Sequence, residues 1–270
     1  MSLAAPVHPN TVPAIRPRAA DGRVTPRRVT VVMLFRMAGF AAVQALIAAW
    51  YALQGAADPW EQSIAWWPLV AVVVSVLTGA VLSRAARREG LRYRDLLTIR
   101  RDTVRRDVVG FLVVFVLAGP IAYLPMQWLS TALYGDPQAA SALMFRPLPP
   151  GWAAFLFIAF PIAVALTELP AYFGYVMPRL EALKGNGETE SIRKNSFSKA
   201  VLLPVFFLAA QHATLPLIFD WRFIVWRVGM FLPFALLLGV ALHRRPSLLP
   251  YLMVGHFFID LSSAYFFLIL

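Results

Sequence analysis

Four ionisable residues in the second half of the chain stand in or beside long apolar runs: Glu168, His212, His256 and Asp260. A charged side chain at the centre of a membrane helix costs roughly 2.5–3.5 kcal/mol on insertion scales, so such residues usually face one another or a polar cavity. At a rise of about 1.5 Å per residue, Glu168, His212 and His256 lie roughly 12–18 Å from the basic ends of their helices. His256 and Asp260 are four residues apart and share one helix face. The spacing therefore predicts that separate helices bring these groups together.

Two kinds of hydrolytic chemistry suit this set. In the first, Glu168 and His212 hold a water molecule and one of them acts as general base, while His256 and Asp260 stabilise an oxyanion. In the second, the same four residues bind zinc or iron, and the metal activates the water. The sequence has no HExxH helix, so metal ligands would have to come from scattered spans, and we favour the interpretation without a cofactor. Either histidine alone would more simply be an interhelical hydrogen-bonding group.

The composition predicts a membrane protein. Of the 270 residues, 59% are hydrophobic and 14% are charged, and the apolar runs are long enough to cross a bilayer. The formal net charge is +11, but most basic residues lie between or beside apolar runs. That placement indicates cytoplasmic loops at anionic lipid headgroups rather than a nucleic-acid partner. The absence of cysteine excludes disulfides, thiolate catalysis and Cys-ligated zinc.

The apolar runs predict an all-α, polytopic transmembrane helical bundle of about seven spans, with kinked helices around an intramembrane polar cavity. The prolines within spans three and four predict the kinks, because a freed backbone carbonyl in lipid must find another partner. Arg36 and Arg227 lie near span ends and are expected to snorkel to the interface. The predicted spans are 30–53, 64–83, 108–129, 151–178, 199–219, 224–242 and 248–268.

The same pattern divides the chain into three parts. Residues 1–28 combine proline and arginine without apolar periodicity and predict a disordered basic tail. Residues 29–107 predict a two-span hairpin followed by a basic cytoplasmic loop, and residues 108–270 predict the membrane core. The basic loop at 84–107 and the pair Arg244 and Arg245 place the N-terminus in the cytoplasm and the C-terminus on the opposite side. The preference for arginine over lysine and the many alanines favour a bacterial plasma membrane.

Three segments carry a family resemblance, which covers about residues 151–265. They are ELPAYFGYVMPRL from Glu168, QHATLP from Gln211 and HFFID from His256. Together they resemble the CPBP family (CaaX proteases and bacteriocin-processing enzymes, also called the ABI family) of intramembrane proteases, whose motifs are EExxxR, FxxxH and HxxxN/D. The third motif is intact as His256 and Asp260.

The first two motifs depart from the family pattern. Leu169 replaces the second Glu and Phe173 replaces the Arg of the first motif, and Leu208 replaces the Phe of the second. The leading Glu and the motif histidine are present. Every residue to which the family assigns a direct chemical role is thus retained, while the supporting Glu and Arg are missing.

The resemblance implies a glutamate-dependent endopeptidase that acts on a membrane-associated peptide or protein. Glu168 and His212 would activate water, and His256 and Asp260 would form the oxyanion site. The missing Glu and Arg favour an alternative, in which a non-proteolytic family member acts as a membrane scaffold or an immunity-type binding protein. A proton-coupled transporter would more often show repeated halves, and we see no internal repeat.

Overall fold

The computed structural model describes residues 8–97, 102–184 and 190–265, the side chains of 190–198 excepted. Within these ranges the chain forms α-helices, short 3₁₀ turns and one π-helical segment, and no strand. The π-helical segment is Pro170–Val176, and 3₁₀ turns occupy Tyr93–Leu96 and Pro246–Leu248. The α-helices are α1 Val12–Ala20, α2 Pro26–Leu53, α3 Pro59–Ile64, α4 Trp67–Arg88, α5 Val104–Tyr134, α6 Ala139–Ala142, α7 Pro150–Ala165, α8 Met177–Ala182, α9 Glu190–Gln211, α10 Trp221–Arg244 and α11 Leu249–Ala264.

Five helical stretches are long and apolar enough to cross a membrane, which makes this an all-α, multi-pass membrane protein. They are α2, α4, α5, the continuous run Pro150–Ala182 and α10. The predicted spans five and seven correspond to shorter helices. The apolar part of α9 is Lys199–Gln211, and α11 has 16 residues, about 24 Å against a bilayer core of about 30 Å. Seven crossings therefore remain a prediction.

The run that contains Glu168 bends where the sequence places a proline. Pro170 has no N–H to donate to the carbonyl of Leu166, four residues earlier. The hydroxyl of Tyr93, from the 3₁₀ turn after α4, donates to that carbonyl instead. Burial raises the pKa of Tyr93 to about 12, which keeps the hydroxyl protonated. The wider π-helical turn then carries the chain from Pro170 to Val176, a geometry that often marks functional positions.

The sequence predicted a disordered N-terminal tail, but part of this tail is helical. Residues Val12–Ala20 form α1, which packs against α8 and buries Ile15 completely. Just before α1, the side chain of Asn10 donates to the carbonyl of Gly174 at 2.8 Å and accepts from Arg179 at 2.9 Å. Proline is compatible with the first helical turn, and one buried apolar side chain with two polar contacts holds this short helix in place.

The helices that carry the candidate residues pack closely on their neighbours. Helix α10 lies against α5 and α9, and α11 lies against α7 and α5. At Gly239 in α10, a Cβ atom would come within 2.5 Å of Val205 Cγ2 in α9. Glycine thus lets these two helices approach closely, a use of small residues typical of membrane bundles.

Candidate functional site

The four candidate side chains meet in the structure. Glu168 follows the turn that ends α7, His212 follows the last residue of α9, and His256 and Asp260 stand on α11. His256 Nε2 lies 3.3 Å from Glu168 Oε1 and 3.3 Å from Asp260 Oδ2. His212 Nε2 lies 4.0 Å from Glu168 Oε2. Glu168, His212 and His256 are all less than 9% exposed, so three separate helical segments bring these groups into one buried cluster.

Arg36 also belongs to this cluster, contrary to the expectation that it snorkels. Its side chain is completely buried, and Nη2 donates to Glu168 Oε2 at 3.1 Å. Nη1 donates to Ser75 Oγ at 3.2 Å and to Thr167 Oγ1 at 3.1 Å. Nε donates to Gln211 Oε1 at 2.8 Å. Every guanidinium nitrogen is therefore bonded, and α2 is tied to α4, to the turn before Glu168 and to α9.

Gln211 completes the support of the carboxylate. Its Nε2 donates to Glu168 Oε2 at 2.8 Å, and its Oε1 also accepts from the hydroxyl of Tyr172 at 3.1 Å. Glu168 Oε2 thus receives two hydrogen bonds, one from Arg36 and one from Gln211. Sequence reasoning missed Gln211, although an amide next to His212 at membrane depth is itself a signal of a polar contact.

The end of α9 determines which nitrogen of His212 carries the proton. The last turn tightens, and His212 N donates to the carbonyl of Ala209 rather than to that of Leu208. The carbonyl of Leu208 lies 2.8 Å from His212 Nδ1 instead. A carbonyl only accepts, so Nδ1 carries the hydrogen and the neutral ring has an accepting Nε2. The ring of His212 stacks on Phe231 at a centroid distance of 3.6 Å, which fixes its plane.

His256 is directed at carboxylates. Its Nε2 has two carboxylate oxygens at the same distance, one from Glu168 and one from Asp260. Its other nitrogen, Nδ1, is buried and has no hydrogen-bond partner among the described residues. Nε2 carries at most one hydrogen. His256 therefore lies between the two carboxylates and can donate from Nε2 to only one of them at a time.

A cavity of about 430 Å³ adjoins the cluster. Glu168, His212, His256 and Asp260 form part of its wall. Most of the remaining wall is apolar and aromatic, contributed by α5, α7 and α10 and including Phe115, Met126, Phe160, Trp226, Met230 and Phe231. The carboxylates and imidazoles thus lie on a space large enough for several groups of an apolar ligand.

Arg227 lines the same cavity, and the expectation that it points outward is wrong. Its side chain is 6% exposed, and Nη2 donates to the carbonyl of Leu215 at 3.0 Å. The guanidinium carbon lies 5.1 Å from the ring centroid of Phe231 and 5.5 Å from that of Trp226. Its Nε is buried without a hydrogen-bond partner among the described residues. The cation is thus held by one carbonyl and two aromatic rings.

In the parts of the chain that the structure describes, no three His, Asp or Glu side chains are arranged to hold a metal ion. No protein-family model, no curated protein and no solved structure matches this chain.

Proposed function

We propose that this protein is a membrane-embedded endopeptidase of CPBP type, in which Glu168 and His212 activate a water molecule. One observation carries the proposal: the two sides of the buried carboxylate have different environments. Oε2 is held by Arg36 and Gln211, whereas Oε1 lies 3.3 Å from His256 Nε2 and has no aligned hydrogen bond from the described residues. A carboxylate fixed by one oxygen and available at the other is suited to accept a proton from water.

The contact of His212 with Leu208 supports the same chemistry. Because Nδ1 is bound to the backbone carbonyl, Nε2 has an accepting lone pair, and it lies 4.0 Å from Glu168 Oε2, on the carboxylate whose other oxygen is the proposed proton acceptor. Water bound between these groups loses a proton to one of them as its oxygen attacks the peptide carbonyl carbon. The electron pair of the C=O bond moves to the oxygen and gives a tetrahedral oxyanion. When this species collapses, the C–N bond breaks and the same group returns the proton to the leaving amine.

Arg36 supplies a contact that the first sequence motif lacks. The family pattern has an Arg where this chain has Phe173, and Phe173 packs among apolar residues. The buried guanidinium of Arg36 comes from another helix and pairs with Glu168. We infer that Arg36 holds the general base in its ionised form, so the departure in the motif is compatible with peptidase chemistry.

The proposal includes a place in the cell and a substrate class. The protein is a multi-pass protein of a bacterial plasma membrane, with seven spans, a cytoplasmic N-terminus and a C-terminus on the opposite side. Its substrate is a membrane-associated peptide or protein, because the carboxylate cluster adjoins a mainly apolar cavity. The basic loops contact anionic headgroups, and no nucleic acid takes part.

The test uses the full chain in lipid nanodiscs with a pool of synthetic apolar peptides in ¹⁸O-labelled water. Hydrolysis places ¹⁸O in each new C-terminus, which mass spectrometry identifies together with the cleavage position. We expect labelled products from the wild type and a loss of more than about 10²-fold in Glu168→Gln, because an amide keeps the shape but does not accept the proton. A chelator should leave the rate unchanged. Products that form equally in Glu168→Gln, or activity that follows a bound metal, would refute this mechanism.

A non-proteolytic role is the second candidate, favoured by the ion pair between Arg36 and Glu168. A buried pair with all donors satisfied also fits a purely structural contact. In that case the wild type gives no ¹⁸O-labelled products, and Glu168→Gln changes stability alone. The same peptide pool therefore separates the two functions.

A further inference from the structure

Arg227 is a buried cation on the wall of the cavity. The proposed peptidase mechanism gives this residue no role. It stands about two turns into α10 from its first residue, Trp221. Among the described residues that line the cavity, it is the only Arg or Lys. The more deeply placed Arg36 is fully engaged with Glu168, Ser75 and Gln211. An anionic group that enters the cavity is thus met by Arg227.

The contacts of Arg227 leave it able to bind a ligand. The carbonyl of Leu215 accepts from Nη2, and the closest partner of Nη1 is the sulfur of Met230 at 3.9 Å, a weak acceptor. Nε is buried without a partner in the described parts of the chain. A buried donor without an acceptor is energetically unfavourable. An oxygen anion in the cavity would recover that energy.

The arrangement of His256 strengthens this argument. The family resemblance assigns the oxyanion site to His256 and Asp260, but His256 Nε2 lies between the carboxylates of Glu168 and Asp260. A hydrogen on Nε2 faces these two carboxylates rather than a substrate, and an ionised Asp offers only acceptors. A further donor is needed where negative charge develops on the substrate carbonyl.

We propose that Arg227 binds the negatively charged oxygen of an apolar ligand in this cavity, which in peptide hydrolysis is the oxyanion of the attacked carbonyl. The inference rests on the proposed function for the identity of that oxygen. Phe231 connects the two halves of the site, since its ring contacts both His212 and Arg227. The water-activating group and the oxyanion-binding group therefore contact the same aromatic side chain. A carboxylate is also the product of peptide hydrolysis, so the same cation would hold the new C-terminus.

The test measures anion binding directly and needs no substrate. The probe is 8-bromooctanoate, with 8-bromooctanol as its neutral match, added to the full chain in nanodiscs of zwitterionic lipid. Bromine quenches nearby tryptophan, and Trp226 lies against Arg227. We expect saturable quenching by the carboxylate at a concentration at least about tenfold below that for the alcohol, since charge-assisted hydrogen bonds are the strong ones. Trp226→Phe should lower the saturable part of the quenching, and the part that remains reports the other tryptophans of the chain.

Two variants distinguish the role of Arg227 in anion binding from the role of Glu168 as general base. Arg227→Gln should lose the preference for the carboxylate, whereas Glu168→Gln should retain it while losing hydrolysis. In the wild type, octanoate should protect Arg227 from the arginine reagent phenylglyoxal, while the exposed Arg222 in the same helix is modified as before; this measurement applies even if Arg227→Gln does not fold. Equal binding of acid and alcohol, or no protection of Arg227, would overturn the proposal. Carboxylate binding without detectable hydrolysis would support it and refute the peptidase function alone.

Discussion

Arg36 Nη2 lies 3.1 Å from Glu168 Oε2, although 132 positions separate the two residues in the sequence. The pair is almost completely buried, with side-chain exposures of 0% and 3%. Removal of one member of such a pair leaves an uncompensated buried charge and costs about 3–5 kcal/mol. The ion pair therefore links the stability of the bundle to the proposed general base.

We predict that Arg36→Met destabilises the protein strongly, and that the double variant Arg36→Met with Glu168→Gln recovers a substantial part of the loss. In the double variant neither charge remains buried alone. Thermal unfolding of the two single variants, Arg36→Met and Glu168→Gln, and of the double variant in the same nanodiscs measures the coupling. Arg222→Met is the matched control, because its ion pair with Asp220 is exposed and should contribute no more than about 1 kcal/mol. A strictly additive double variant would show that the pair is not coupled.

Tyr93 gives a prediction with a defined pH range. In Tyr93→Phe the carbonyl of Leu166 loses its donor, and we expect a loss of about 1–3 kcal/mol of stability at neutral pH. Burial raises the folded-state pKa of Tyr93 from 10.0 to about 12. The folded state therefore retains a proton that the unfolded state loses, so the stabilisation is complete below pH 10 and declines between about pH 10 and 12.

The difference in stability between wild type and Tyr93→Phe should shrink over that range. Denaturant unfolding at a series of pH values measures it. Tyr123→Phe is the control, since Tyr123 is 56% exposed. A difference that stays constant up to pH 12 would contradict the role given to the Tyr93 hydroxyl.

The close approach at Gly239 predicts a loss of stability when a larger residue takes its place. Gly239→Ala places a methyl group against the stiff side chain of Val205 and should cost about 1–3 kcal/mol through overpacking. Val205→Ala in the same chain should restore much of the stability. Gly119→Ala is the control, because no atom lies within 4 Å of a Cβ built there. An unchanged melting temperature in Gly239→Ala would show that α9 and α10 separate without cost.

Single cysteines test the predicted orientation, and the natural chain contributes no background because it has no cysteine. Arg94→Cys lies in the basic loop after α4, and Gln138→Cys lies between α5 and α6; both positions are exposed. An impermeant maleimide added to intact cells should label Gln138→Cys alone, because basic loops stay in the cytoplasm. Labelling of both, or of Arg94→Cys alone, would refute the assigned sides.

The sequence predicted the helical membrane architecture and the meeting of the four ionisable residues for one physical reason. Charged groups are costly in apolar runs, so Glu168, His212, His256 and Asp260 are conspicuous. Arg36 is as deeply buried, but its place near the basic end of the first span makes snorkelling an equally natural interpretation. Its partner lies in another helix, and only the three-dimensional packing identifies it.

Other features depend on tertiary contacts that composition does not encode. Proline-rich, arginine-rich segments usually lack an apolar face, yet Ile15 of α1 is buried in the core, with Val12 and Ala19 packed beside it. Arg227 stands near one end of its span, and its orientation toward the cavity follows from contacts with Leu215 and Phe231. The two predicted spans that carry histidines also run past the ends of their helices, because α9 ends at Gln211, just before His212, and α11 ends at Ala264.

The contact of Asn10 with the carbonyl of Gly174 determines an order of events during synthesis. The two residues are 164 positions apart, so at about 5–20 residues per second the ribosome needs roughly 8–30 s to supply the second after the first. The segment around Asn10 therefore leaves the ribosome well before the carbonyl that holds it. A bulky domain fused before residue 8 would leave insertion of the helices unaffected and would instead hinder the final closure of the bundle over the π-helical segment.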